Sequence, residues 1–242
     1  VHRKASGLET PEAVGRRAGR QAVQRLGARQ IPTCRLPVLF EASVARSLLG
    51  HFVAAVSGGS LYRKASFLLD RLGQPVFAPL ISLKESPHLP CALGSAAFDQ
   101  EGVATRERML VRDGVLEGYV LDSYSARKLG LETTGNAGGV HNLSLPPGTL
   151  DLDGLAALMG HGLLVTEMMG QGVNLVTGDY SRGASGFLVE QGRISQPVEE
   201  VTVAGNLAEL FTRIQAVGSD VDTRGGIRCG SLLIDGMTIA GS

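Results

Sequence analysis

Of the 242 residues, 43% are hydrophobic, so the chain can bury one large core, or a domain core with an appendage, and disorder is not the default. Twenty-three basic side chains balance twenty-three acidic ones, which disfavours direct nucleic-acid binding, because neutralising phosphates needs a basic surplus. Thirty-three glycines, 5% aromatics and no Trp point to many tight turns in a sheet-rich protein, while three widely spaced cysteines, Cys34, Cys91 and Cys229, argue against a disulfide framework or a zinc ribbon.

A reducing, cytoplasmic setting suits that cysteine usage. No apolar run reaches the length of a membrane span, and no basic-then-apolar start marks a secretory signal. The chain opens at Val1 inside a basic phrase, His2-Arg3-Lys4, where a native start would carry Met. We therefore expect residues 1–30 to be a helix at the tail of a preceding N-terminal domain, and residues 31–242 to form a β-rich C-terminal domain.

In chain order, Thr10-Pro11-Glu12 supplies an N-cap, a first-turn Pro and an acid ahead of Ala13, Val14, Ala18, Ala22, Val23 and Leu26, which share one helical stripe before Gly27. Residues 35–40 read as an apolar strand. From about Ala42, the spacing of Val44, Leu48, Leu49, Phe52, Val53 and Val56 predicts a helix ending at Gly58-Gly59. Residues 61–72 suggest another short helix, and residues 75–90, broken by four prolines, an extended crossing.

Residues 106–121 predict a hairpin around Asp113-Gly114, a dipeptide suited to a type I′ turn. Residues 123–129 predict a short helix stopped by Gly130. Beyond it we expect a strand over 138–145, a helix over 150–159, and strands over 163–167, 173–178, 186–190 and 198–204, with Gln191-Gly192 turning the last two into a hairpin. Asn206 caps a helix bearing Leu207, Leu210, Phe211 and Ile214, and residues 232–240 close the chain as a strand. The sum is an α+β fold dominated by antiparallel, folded-over sheet with several peripheral helices.

A zinc hydrolase needs fixed ligands and a carboxylate base. The histidines are His2, His51, His88, His141 and His161; none form His-Glu-x-x-His, and no two lie within two helical turns of each other. A site assembled from distant residues would draw on His141, His161 and Cys229. Ser181 and Ser185 in Gly-Asp-Tyr-Ser-Arg-Gly-Ala-Ser-Gly lack the glycine spacing of a nucleophile elbow, and a turn between strands is the preferred reading. Gly135-Asn136-Ala137-Gly138-Gly139 has no following P-loop Lys, and reads as a loop that lets another backbone approach closely.

Several phrases carry a resemblance: residues 53–64 (Val-Ala-Ala-Val-Ser-Gly-Gly-Ser-Leu-Tyr-Arg-Lys), 98–106, 123–130, 203–207, Gly225-Gly-Ile-Arg-Cys-Gly230, and above all 166–198. Taken together, over residues 30–242, they resemble the PmbA (TldE) branch of the TldD/PmbA family, cytosolic metalloproteases first described as modulators of DNA gyrase. The resemblance implies a subunit of a zinc metalloprotease that cleaves peptides and unfolded small proteins, of the microcin-precursor or antitoxin type. It also implies a TldD-type partner subunit, with a homodimer open to the chain in isolation, and no nucleic-acid or membrane partner.

In the TldD branch a His-Glu-x-x-x-His motif precedes an Arg-Lys-Gly-Ser-like phrase. Here that phrase is Arg63-Lys64-Ala65-Ser66, which places the motif near Gly50, His51 and Ala55, where the ligands are missing. The resemblance thus implies no catalytic residue and no metal in this chain, with zinc held by the partner. Residues expected to face peptide or partner are Gly135, Asn136, Gly138, Gly139, Gly170, Gln171, Gly172, Thr177, Asp179, Tyr180 and Arg182, with 170–178 as the lining strand. The alternatives are a non-catalytic regulator that binds gyrase inhibitors, or a peptidase using a distant nucleophile or metal of its own.

Overall fold

The computed structural model describes residues 1–241. Thr10 accepts the Ala13 N–H at 3.2 Å and starts α1 (Pro11–Gln24), with Pro11 in the first turn as expected. None of its residues is buried, so its apolar stripe faces solvent. Strand β1 (Cys34–Phe40) then leads into α2 (Ala42–Ala55), whose inner face is Val44, Leu48, Leu49 and Phe52.

Next comes α3 (Gly58–Tyr62), shorter than the helix expected over 61–72, because Lys64 and Asp70 adopt left-handed φ values of 57° and 58° and break it into turns. The proline-rich crossing contains a strand the sequence hid, β2 (Leu83–Glu85). The hairpin follows as β3 (Arg108–Arg112) and β4 (Val115–Leu116). Asp113 and Gly114, with φ of 47° and 82°, have the paired positive angles a type I′ turn requires. Helix α4 (Ser123–Leu129) is capped by Asp122 and stopped by Gly130 at φ 67°.

The remaining elements are β5 (Leu143–Ser144), α5 (Leu152–Met159), β6 (Gly162–Met169), β7 (Asp179–Glu190), β8 (Arg193–Asn206), α6 (Leu207–Thr212), β9 (Ile214–Val217), β10 (Ile227–Arg228) and β11 (Leu232–Ala240). Only two residues of the strand expected over 138–145 form one. The stretch 173–178 is not a strand either. The Asn174 N–H donates to Asp179 O and the Ser181 N–H to Gly172 O, folding 170–178 back on itself as a loop.

The expected turn at Ser181–Ser185 is instead the first half of β7. Its small residues are there because β6 and β7 pack closely: a Cβ on Gly186 would run into the Leu164 carbonyl. Strand β9 follows α6 after a single residue and has no turn signal of its own.

Strand β1 runs parallel to β6 and antiparallel to β11, and β6, β7, β8 and β11 pair antiparallel in turn, so these five strands close into a barrel with β9 added beside β11. A second sheet orders β10-β5-β2-β3-β4, with β10 and β5 parallel. The α+β expectation holds, although the sheets are not purely antiparallel.

Alternation along the strands sorts the core. Val38, Phe40, Leu163, Val165 and Ile234 join α2 in the main cluster, while Leu39, Leu164 and Leu233 turn to α5. Phe52 meets Phe77 edge-on at 5.0 Å, and Phe77 stacks on Phe211 at 4.4 Å, which ties α2 to α6. Phe52→Ala should therefore cost about 3–5 kcal/mol, read as a lower midpoint in urea unfolding; a loss below about 1 kcal/mol would mean the aromatic stack is not the anchor of α2.

Candidate functional site

Helix α2 carries the positions, Gly50, His51 and Ala55, at which the TldD branch has its metal motif. Its outer face, Ser43, Arg46, Ser47, Gly50 and His51, is half-buried throughout, because other segments cover it. Arg46 lies 3.7 Å from Asp222, and Gly50 faces Ile227 of β10. His51 meets the ring of Tyr180 edge-on, with centroids 6.0 Å apart. Tyr180 is only 1% exposed, and Arg182, two residues further along β7, is on the same side of the strand.

Burial first, and the Arg182 cation second, hold the His51 imidazole below its ordinary pKa. Burial pushes the Tyr180 phenol up to about 12, against the pull of Arg182, so it stays protonated. Ser47 Oγ, His51 Nε2 and the Tyr180 hydroxyl are buried without a protein hydrogen-bond partner.

These donors do not fit a zinc ion. Gly50 and Ala55 offer no ligating atom, and His51 stands beside a fixed cation. Cys229 is fully buried, its thiol pushed up to about 12 chiefly by burial, which disfavours the thiolate a metal needs. Among the described residues no three His, Cys, Asp or Glu side chains come together as a metal-holding group.

Of the residues expected to face a ligand, Tyr180 and Arg182 are the two that join His51. Gly170, Gln171, Gly172, Thr177 and Asp179 are exposed on and beside the loop before β7. Thr177 donates to Asp179 at 2.6 Å, and Arg182 Nε to Gly170 O at 3.0 Å, so the loop is tied to the strand.

Gly135, Asn136, Gly138 and Gly139 lie elsewhere, in a polar strut under the second sheet. Asn136 donates to Glu85 Oε1 at 2.7 Å and accepts from Arg108 at 2.8 Å and Thr134 at 2.7 Å. Arg108 Nε reaches Glu85 Oε2 at 2.8 Å, and the His141 N–H donates to Glu85 Oε1 at 2.6 Å. The His141 ring lies between the carbonyls of Gly94 and Gly135, and Gly138 and Gly139 turn the chain at φ 98° and 112°. His161 is exposed and away from both groups.

A cleft of about 1030 Å³, between α1 and the α5 side of the barrel, has no motif in the sequence. Its polar lining includes Arg17, Arg25, Glu41, Thr166, Glu167 and Arg224, drawn from separate segments. Arg25 pairs with Glu167 across it, and Arg224 grips Asp222 through two hydrogen bonds of 2.9 and 3.0 Å. Burial raises the pKa of Glu41, offset by the Ser43 hydroxyl. An acid at the junction of an apolar strand and an apolar helix was the one available signal.

Because His51 binds its proton less readily folded than unfolded, the unfolded state takes up more protons just below the ordinary pKa of 6.5. Stability should therefore fall as pH drops from 6.5 toward the folded value. In His51→Gln that part of the urea-midpoint profile should flatten, and an unchanged slope would contradict the burial. Asn136→Ala leaves Glu85 and Arg108 each short of a partner and should cost about 1–3 kcal/mol in the same assay; a neutral result would mean that the strut carries no stability.

The model of the PmbA/TldA metallopeptidase C-terminal domain matches residues 33–241. The chain is 49% identical over 241 residues to the metalloprotease PmbA of Escherichia coli O157:H7, covering 100% of this chain and 54% of that protein, so it spans about half the length of the curated relatives it matches. A crystal structure described as a modulator of a DNA gyrase, from Thermotoga maritima MSB8, superposes with a TM-score of 0.91 at 34% identity, over 99% of this chain and 57% of that one. The crystal structure of TldE from Thermococcus kodakarensis superposes with a TM-score of 0.83 at 25% identity, over 95% and 55%. Superposition on these structures over nearly all of the chain, near-half identity to a PmbA protein, and a sequence that matches the family model over residues 33–241 show that the chain belongs to the PmbA/TldD metallopeptidase family, in its PmbA branch.

Proposed function

We propose that this chain is part of a PmbA (TldE)-type subunit of a zinc peptidase acting on peptides and unfolded small proteins in the cytoplasm, and that it holds no metal of its own. One observation carries the reading. The α2 positions that would carry metal ligands instead hold Gly50, His51 and the core residue Ala55, with His51 closed against Tyr180 and Arg182. A TldD-type partner then supplies zinc, whose chemistry is to polarise the scissile carbonyl and lower the pKa of bound water. This chain supplies walls and an interface.

On this reading, the α2 face and the loop 170–178 border the path of an extended peptide. The carbonyls of Gly170, Gln171 and Gly172 are already engaged within the protein, so these exposed residues offer main-chain N–H groups with little sequence preference, and Arg182 holds the loop against the barrel. Among the described residues, no helix is long and apolar enough to cross a membrane.

Reconstitution separates the roles. Cleavage of an unfolded peptide should appear when a TldD-type subunit is added and not with this chain alone. Arg182→Glu should lower kcat/KM of the pair roughly tenfold, about 1.4 kcal/mol, with the chain still folded by circular dichroism at the assay temperature. Cleavage by the isolated chain, surviving a chelator-free gel filtration, would overturn the proposal.

A further inference from the structure

Two of the phrases singled out in the sequence, Tyr62-Arg63-Lys64 and Ser123 to Gly130, have no role in the α2 site, yet the fold brings them together. The Tyr62 and Tyr124 rings meet edge to face, with centroids 5.7 Å apart at 82°. Arg63 lies over Tyr62 at 5.4 Å and Lys128 over Tyr124 at 5.6 Å. The result is a ladder of cation, ring, ring and cation on the surface of α3 and α4. Arg63, Lys64, Tyr124, Arg127 and Lys128 are all exposed, Tyr124 by half.

Among the described residues, none of these four cations forms an ion pair. Two acids beside α4 are already engaged in hydrogen bonds to its backbone. Asp122 caps α4 through the Ser125 N–H at 2.6 Å, and Glu101 accepts the Ser123 N–H at 2.8 Å. Basic residues in the last turn of α4 suit its C-terminal dipole, but that explains Arg127 and Lys128 only. Arg63 and Lys64 come from another segment, follow a helix of five residues, and add to the same positive face.

In a chain whose charges balance overall, four cations without an ion pair around two tyrosines make a local positive surface that includes Tyr and Arg, residue types enriched at interfaces. We propose that this α3–α4 surface docks an acidic peptide segment of a protein partner, its carboxylates meeting Arg63, Lys64, Arg127 and Lys128 and its apolar atoms lying on the Tyr62 and Tyr124 rings. Carboxylates match the surface better than nucleic acid does, since four cations in a neutral chain neutralise few phosphates. The inference does not depend on peptidase activity.

The test is fluorescence anisotropy with a fluorescein-labelled polyglutamate peptide of about ten residues, with an oligodeoxythymidine of similar length as competitor. The 242-residue chain should bind the peptide at low salt and release it as salt rises. The double reversal Arg63→Glu with Lys128→Glu should weaken binding at least about tenfold, and the charge-matched control Arg16→Glu with Arg20→Glu on α1 by less than about twofold, all three melting alike. Tyr124→Ala, which keeps every charge, should also weaken binding. No binding by the unmodified chain, equal binding by the double reversal, or equal loss in the control would overturn the proposal. Displacement by oligodeoxythymidine at lower concentration than by unlabelled peptide would overturn it in favour of a nucleic acid.

Discussion

Strand β1 has hydrogen-bonded neighbours on both edges, parallel β6 on one side and antiparallel β11 on the other, and this double pairing closes the barrel. Everything at the candidate site hangs from it. Glu41 follows β1 directly, its N–H bonded to Val165 O of β6, and α2 starts at the next residue, so the helix leaves the barrel in a fixed direction. The alternation that sends Val38 and Phe40 inward also sends the inner face of α2 into the same cluster, leaving His51 to face Tyr180 of β7. Without closure, Tyr180 and Arg182 would have no fixed place opposite His51.

Where local chemistry specifies the backbone, the fold was legible. Thr10 and Asn206 cap the helices they were expected to cap, Gly130 stops α4 as expected, and Asp113-Gly114 and Gln191-Gly192 take the positive φ pairs of tight hairpins. Long-range pairing was less visible. The Gly-Ala-Ser-Gly run of β7 looks like a turn until β6 is placed beside it, because small residues answer to the neighbouring backbone and not to intrinsic strand preference. The segment 173–178 looks apolar enough for a strand, but Gly172 and Gly178 let it fold onto Asp179 and Ser181 first.

The candidate site was half legible for the same reason. Absence of ligands on α2 can be read from Gly50 and Ala55 alone. The Tyr180–His51 contact and the cleft under α1 are products of tertiary closure, with partners drawn from elements far apart in the chain. Gly135 and Asn136 show the opposite case: a polar, glycine-rich phrase that looks like a ligand loop is a buried strut for Glu85 and Arg108, where every hydrogen bond is spent inside the protein.

The central claim is that the α2 face binds no zinc. The most direct measurement is elemental analysis of the purified chain after incubation with excess zinc and gel filtration. The account predicts zinc well below one ion per chain, the same in Cys229→Ala and His51→Gln as in the parent. Stoichiometric zinc in the isolated chain, lost on replacing His51 or Cys229, would contradict it.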